Sequence, residues 1–411
     1  MPTFAYTFRD SMGTVRSGTS EAESAEILRK RLQEQGFTVT EVRQIRAQRP
    51  GGGWGRVKLS DLAIFCRQFS TMQDAGVSIV RSLDVLAQQT QSPKLRRILV
   101  DIQAEVEAGQ TLSKAMSKYP NVFSNLFIGL IRAGEVGGVL EESLQRLAAF
   151  LEADVALRRK VRAAMVYPAI VVIVALVVVI GLVTFILPKF FDVYKDLRIK
   201  EFPVMTRMLM DFSNFLTSRW YVMIAVVVLV VIAFRMFVRT RIGRRLYDRL
   251  KLKLPVFGPL NHKIALARFS RTLSTLLSSG VPILQALETV AGTVANEIIA
   301  EAVMEARARI REGDRIGPPL EKSGMFPPMV VHMISIGEES GALDQMLSKV
   351  ADFYESEVES TLQSLTSAIE PVLIVLLGGM VGFIVISLLL PLVTAVQSLA
   401  GGQQEGGAGG Q

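Results

Sequence analysis

The residues of this chain best placed to do chemistry are two carboxylates, each set among glycines. Glu135 lies in Gly134-Glu135-Val136-Gly137-Gly138, and Glu338 lies in Gly337-Glu338-Glu339-Ser340-Gly341. In a tight interhelical turn a carboxylate can accept hydrogen bonds from free backbone N–H groups or sit against the positive end of a helix. Held out in solvent, it would give a partner protein an acidic loop to grip. Its recurrence in both halves of the chain favours the folding role. The cations gather elsewhere. Arg241, Arg244, Arg245 and Arg249 follow a long apolar run, together with Arg239, Lys251 and Lys253. Such a stretch fixes membrane topology and touches anionic headgroups, or docks on an acidic protein surface. No recognition motif for nucleic acid accompanies it.

Nothing here assembles into a catalytic set. The glycines at 51–55 precede no Lys-Ser/Thr pair, so they form no phosphate loop. There is no GxSxG elbow and no HExxH. The histidines, His262 and His332, stand apart and far from the lone cysteine, Cys66. That composition predicts no enzyme, cofactor or metal site. A single cysteine forbids an intramolecular disulfide and fits a reducing compartment; beside Phe65 on a helical pattern it is expected to be a buried, inert thiol.

The elements that must position these residues come twice. FCRQFSTMQDAGVSI (Phe65–Ile79) returns as FSRTLSTLLSSGVPI (Phe269–Ile283), and AGEVGGVL (Ala133–Leu140) returns as IGEESGAL (Ile336–Leu343). A unit this long is a duplicated domain and not a solenoid repeat. Leu62, Phe65, Phe69 and Met72 fall on one helical face, and Leu266, Phe269, Leu273 and Leu276 repeat it. Further helices are expected at roughly Ile79–Gln89, Lys94–Ala108, Leu112–Ser117, Asn125–Arg132 and Leu140–Val166. Each copy thus holds about six. Ahead of them, Phe4–Arg9 and Phe37–Val42 alternate as strands do, Gly13 and Gly18 mark turns, and Ser20 with Glu23 fits a capping box opening a helix to about Gln35.

Each copy ends in an apolar run bracketed by prolines, Pro168 to Pro188 and Pro371 to Pro391. Ala169–Leu187 has no charge and would be about 28 Å long as a helix, close to a bilayer core of about 30 Å. Val372–Val396 is longer, and Trp220–Phe234 reaches spanning length if Arg235 snorkels. Three spans follow. Met1–Arg16 has no signal-peptide pattern, and the basic segment after the second span marks the cytoplasmic side. The N-terminus is therefore expected in the cytoplasm and the C-terminus outside. Pro168 and Pro371 would kink the last bundle helix at the membrane surface and pass bundle motion into the span. Gly378 and Gly382 give the third span a close-packing face, within or between subunits.

The expected class is an all-α membrane protein with two homologous cytoplasmic six-helix bundles and three transmembrane helices, preceded by a small α+β domain. The boundaries read as follows: the α+β domain over 1–50, a linker over 51–60, and the first bundle over 61–168. Span 1 covers 169–188, an outer loop on the membrane surface 189–219, and span 2 220–238. A basic linker covers 239–262, the second bundle 263–370, span 3 371–396 and a disordered tail 397–411. The second bundle is net acidic, with 9 Lys/Arg against 15 Asp/Glu over Lys263–Glu370.

The run LAIFCRQFSTMQDAGVSIVRSLDVLAQQ, the turns AGEVGGVLEESL and GEESGALDQML, and the Tyr-Pro and Glu-Pro span entries resemble the type II secretion F family. The likeness covers residue 1 to about 396. Within the family, Ala-Ile-Phe-x-Arg-Gln-Phe and the N-terminal domain look more like the type IV pilus assembly branch than the type II secretion branch. The resemblance implies a platform in a bacterial inner membrane, homo-oligomeric, with a dimer as the expected form. Its implied partners are hexameric cytoplasmic assembly and retraction ATPases, pilin subunits, inner-membrane alignment proteins and membrane lipids. Its implied work is to turn the ATPase stroke into pilin movement. A transporter, in which duplicated halves are also common, is the competing class. Its spans would need the intramembrane charges that these lack.

Overall fold

A computed structural model describes residues 3–9, 15–21, 29, 38–45, 56–196, 202–255 and 257–405. Two compact units make up the chain. The first holds a three-stranded antiparallel sheet in the order β2-β1-β3. Its strands are β1 (Thr3–Arg9), β2 (Val15–Glu21) and β3 (Thr38–Ile45). Gly18 is not a turn: it lies inside β2 opposite Tyr6, and Ser20 pairs with Phe4 instead of capping a helix. Gly13 and most of the expected helix fall outside the described residues, although Arg29 is helical.

The second unit is helical, with no strand among its described residues. The first bundle is built from α1 (Leu59–Asp74), α2 (Ile79–Gln89), α3 (Pro93–Glu107, of which the part to Ile98 belongs to the first unit), α4 (Leu112–Ser117), α5 (Asn125–Gly137) and the start of α6 (Leu140–Gly181). A π-helical turn (Leu182–Ile186) and α7 (Leu187–Asp196) extend α6 without a break. Then come α8 (Val204–Ser218), α9 (Trp220–Arg239) and α10 (Arg241–Lys253). The second bundle repeats the plan in α11 (Phe257–Ser278), α12 (Ile283–Thr293), α13 (Glu297–Arg311), α14 (Gly317–Lys322), α15 (Pro328–Ser340) and the start of α16 (Leu343–Glu405).

Local chemistry sets the helix starts. Thr111 accepts from the Lys114 N–H, Ser124 from the Phe127 N–H, and Asn296 from the N–H groups of Ile298 and Ile299. Each satisfies a donor that has no partner within its helix. The duplicated apolar stripes form the cores. Phe65 and Phe69 are buried in the first bundle, and Leu266, Phe269, Leu273 and Leu276 in the second. Each contributes roughly 1.5–3 kcal/mol of burial. The two bundles meet where α6, α11 and α16 converge, around Leu157, Leu260, Val358, Leu362 and Leu365.

Three helices are long and apolar enough to cross a membrane: Leu140–Asp196, Tyr221–Arg239 and Leu343–Thr394. Four expectations need correction. The segment 189–219 is not a surface loop, because α7 and α8 fill its described part and bury Tyr194, Thr206, Leu209 and Ser213. The basic stretch is helix α10 and not a linker, since a Thr240 cap and an amphipathic pattern favour it. The first helix of the second bundle starts at Phe257, six residues before the expected boundary. The tail remains helical to Glu405, because a helix already formed in the span extends at little cost.

Candidate coupling site between the bundles and the spans

The duplicated carboxylates turn inward. Glu135 lies in the last turn of α5 and accepts from the backbone N–H groups of Leu112 and Ser113, the latter at 3.1 Å. Glu338 lies at the matching place on α15 and accepts from the Ile316 N–H at 3.0 Å. Each therefore binds the start of the short fourth helix of its bundle. The helix, not a turn, holds these residues; only Gly138 and Gly341 are left-handed, both with φ of 68°. There the Val139 N–H reaches the Gly134 carbonyl at 2.9 Å and the Ala342 N–H reaches that of Gly337 at 3.0 Å. This is the usual closure of a helix whose next residue is a left-handed glycine. Gly134 and Gly337 are needed for close approach. A Cβ on Gly134 would lie 2.6 Å from Ser143 Oγ, and one on Gly337 would lie 2.8 Å from Leu343 Cα.

A second duplicated feature escaped the sequence reading. Arg67 on α1 donates to both oxygens of Glu152 on α6, at 2.8 and 2.6 Å. Arg271, its counterpart on α11, donates to Glu355 at 3.0 Å and Asp352 at 2.6 Å on α16. In each bundle the first helix is thus clamped to the helix that becomes a membrane span. The hydrogen bond from Arg67 holds the Glu152 carboxyl below the usual carboxylate range. The signal was available, since both copies of the repeated segment keep an Arg at this place. Cys66, beside it, is fully buried, and that burial pushes its thiol well above the usual range.

Pro168 and Pro371 lie inside α6 and α16, and neither ends its helix. The other two prolines free carbonyls that another helix satisfies. Pro188 carries no N–H. In the π-helical turn the Leu187 N–H reaches back to Leu182, so the next carbonyl, Val183, loses its partner to Pro188. Ser213 Oγ of α8 donates to it at 2.8 Å. Pro391 likewise leaves the Ser387 carbonyl without its helical donor, and Thr206 Oγ1 of α8 supplies one at 2.7 Å. Tyr194 donates its hydroxyl to the neighbouring Leu388 carbonyl. All three bonds are buried, among Val183, Leu187, Phe191, Leu209, Ile384 and Leu388. Helix α8 thereby ties spans 1 and 3 together through the prolines of both copies. Thr206, Leu209 and Ser213, at spacings of three and four, were the sequence signal for it.

The remaining candidates lie apart. Arg244 pairs with Glu297 at 3.3 Å and Arg245 with Glu301 at 2.9 Å, so α10 docks on its own chain at α13. Buried Asp248 adds a bond from the Glu297 N–H at 3.0 Å. Arg249 is exposed, and the side chain of Arg241 lies outside the described residues. Ile242, Leu246 and Leu250 leave an exposed apolar stripe along the same helix. A Cβ on Gly378 or Gly382 would meet nothing within 4 Å among the described residues, so span 3 has room at these two positions.

Comparison with known proteins places the whole. Residues 65–188 and 269–391 each match the family described as type II secretion system (T2SS), protein F, and residues 1–43 match its N-terminal domain. The chain is 44% identical to the type IV pilus assembly protein PilC of Thermus thermophilus, over 97% of this chain and 100% of that protein. It is 41% identical to the protein of the same name from Myxococcus xanthus, over 98% and 96%. It is 34% identical to the type II secretion system protein F of Vibrio cholerae, over 96% and 98%. The duplicated helical bundle that runs unbroken into a span is the part matched twice, and the chain belongs to the type II secretion system protein F family.

Proposed function

We propose that this chain is the platform protein of a type IV pilus assembly machine in a bacterial inner membrane. The observation that carries the reading is the 44% identity, over nearly its whole length, to a protein named for pilus assembly. The geometry supports a mechanical role. In each bundle an Arg–carboxylate clamp fixes the first helix to the one that enters the membrane, and α8 joins the far ends. A hexameric cytoplasmic ATPase supplies force to the bundles, and the long helices carry it to pilin subunits at the spans. The chain itself is not an enzyme. The N-terminus and both bundles lie in the cytoplasm, the C-terminus in the periplasm. Arg249 and the exposed stripe of α10 rest on anionic lipid, and the open Gly378/Gly382 face packs against a second copy.

Deletion of the gene should abolish fibres while leaving pilin present. The purified chain in detergent should retain the hexameric ATPase encoded beside the pilin genes. Normal piliation in the deletion strain would sink the proposal. Loss of protein secretion with intact fibres would assign the chain to a type II secretion system instead.

A further inference from the structure

A cavity of about 420 Å³ opens where α6 approaches the membrane, between it, α10 and α11. Four cations line it: Arg158, Arg162, Lys251 and Arg268. No carboxylate does. One neighbouring acid is already committed, since Asp154 holds Arg158 at 2.9 Å and Arg268 at 3.2 Å with its two oxygens. The remaining capacity of the cations is unused. Arg268 Nε is buried with no hydrogen-bond partner, and among the described residues no carboxylate pairs with Arg162. Burial also lowers the Arg268 guanidinium from its ordinary value, as expected of a cation short of counter-charge. Lys251 is held over the Tyr247 ring, its Nζ 4.4 Å from the centroid.

The lining changes character along α6. Arg158 and Arg162 share the cavity with Val161 and Met165, and Met165 lies four residues before the uncharged run that starts at Ala169. Ile264 of α11 adds a second apolar wall. Guanidinium forks match phosphate oxygens, and an apolar flank leading to the span suits an acyl chain. The volume is that of an ordinary ligand site. We infer that this cavity binds a phosphate group, and that its occupant is the headgroup of an acidic phospholipid. The site does not depend on the pilus reading, because it rests on residues of the bundle junction alone.

The test uses the purified full-length chain in dodecyl maltoside micelles doped with phosphatidylglycerol or phosphatidylcholine, and, separately, millimolar inorganic phosphate. Bound lipid is counted by native mass spectrometry and stability is read by thermal unfolding. Wild type should retain phosphatidylglycerol in preference to phosphatidylcholine. Arg162→Ala with Lys251→Ala should weaken that retention at least tenfold. Arg162→Lys with Lys251→Arg, which keeps the charge, should restore most of it. Arg132→Ala with Arg159→Ala removes the same charge outside the cavity and should change nothing. Stabilisation by inorganic phosphate that the double alanine variant loses, with unchanged lipid retention, would assign the site to a soluble phosphate and overturn the lipid occupant. Equal lipid retention and equal phosphate response in wild type and double variant would overturn the site itself.

Discussion

Thr206→Val offers the sharpest test of the coupling site. Valine keeps the shape of threonine but cannot donate, so the Ser387 carbonyl would lose the 2.7 Å bond that stands in for its missing helical partner. That carbonyl is buried between α8 and α16, where an unsatisfied polar group costs about 1–3 kcal/mol. The cost should depend on Pro391. With Pro391→Ala, residue 391 regains an N–H four residues after Ser387, and the helix can satisfy its own carbonyl. Thr206→Val in that background should cost less than about 0.5 kcal/mol, within the usual additivity error. The coupling between Thr206 and Pro391 should therefore be about 0.5–3 kcal/mol, measured by dodecyl sulfate unfolding in mixed micelles. A parallel cycle pairs Ser213→Ala with Pro188→Ala, because Val183 would regain the N–H five residues on. Crossed pairs, such as Ser213→Ala with Pro391→Ala, should be additive. If Thr206→Val costs the same with and without the proline, the hydroxyl does not replace the lost helical bond, and the reasoning fails.

Gly134→Ala and Gly337→Ala should each destabilise by about 1–3 kcal/mol through overpacking, the latter more because its new Cβ meets backbone at 2.8 Å; equal midpoints in denaturant titration would contradict this. Gly378→Leu should leave monomer stability unchanged and weaken self-association seen by cross-linking, as its Cβ meets nothing in the chain. Glu152 has a lowered folded pKa, so its contribution is fully present above the unfolded carboxylate value of about 4.3 and is lost as pH falls through the lower folded value. Arg67→Ala should flatten that part of the acid limb. The neutral-pH cost should stay within about 1 kcal/mol, since both side chains are more than 40% exposed. Cys66 should resist maleimide in the folded protein and react only on unfolding; rapid labelling without unfolding would contradict its burial.

Periodicity and repetition made the large features legible. The bundle helices at Ile79–Gln89 and Leu112–Ser117 have the limits that the apolar pattern and flanking glycines and caps suggest. The three membrane-length helices follow from uncharged runs alone. What stayed hidden depends on pairing. The acceptor of Arg67 is 85 residues away, and that of Arg271 is 84 residues away, so the repeat displays the arginines but not their partners. Helix α8 falls outside the repeat, and its hydroxyls look like ordinary loop polarity until a proline on another helix gives them a carbonyl to serve. The sequence allows two or three strands and does not place β2, because its glycine and serines are poor strand formers; pairing with the aromatic β1 overrides that preference.

The same contacts limit how the long helices can move past each other. The helical runs 140–196 and 343–405 are rods of roughly 85 and 95 Å at 1.5 Å per residue. They are joined at the bundle end by Lys160–Glu359 at 2.6 Å and by the apolar contacts around Leu362, and α11 is tied to the first of them by the bond from Arg268 to Asp154. They are joined at the far end through Thr206, Ser213 and Tyr194. Sliding one rod past the other by a helical turn, about 5.4 Å, would break both junctions at once and leave the proline-freed carbonyls bare in an apolar setting. Spans 1 and 3 are therefore expected to move as a pair. Span 2 is different: none of the apolar window of Tyr221–Arg239 is buried among the described residues. If the bundles move against the membrane in the proposed role, span 2 is the least constrained of the three. A disulfide locking α8 to span 3 should leave assembly intact, whereas a cross-link between copies through the Gly378/Gly382 face should stop it. Loss of fibres from the first lock, with normal insertion, would show that the pair does slide.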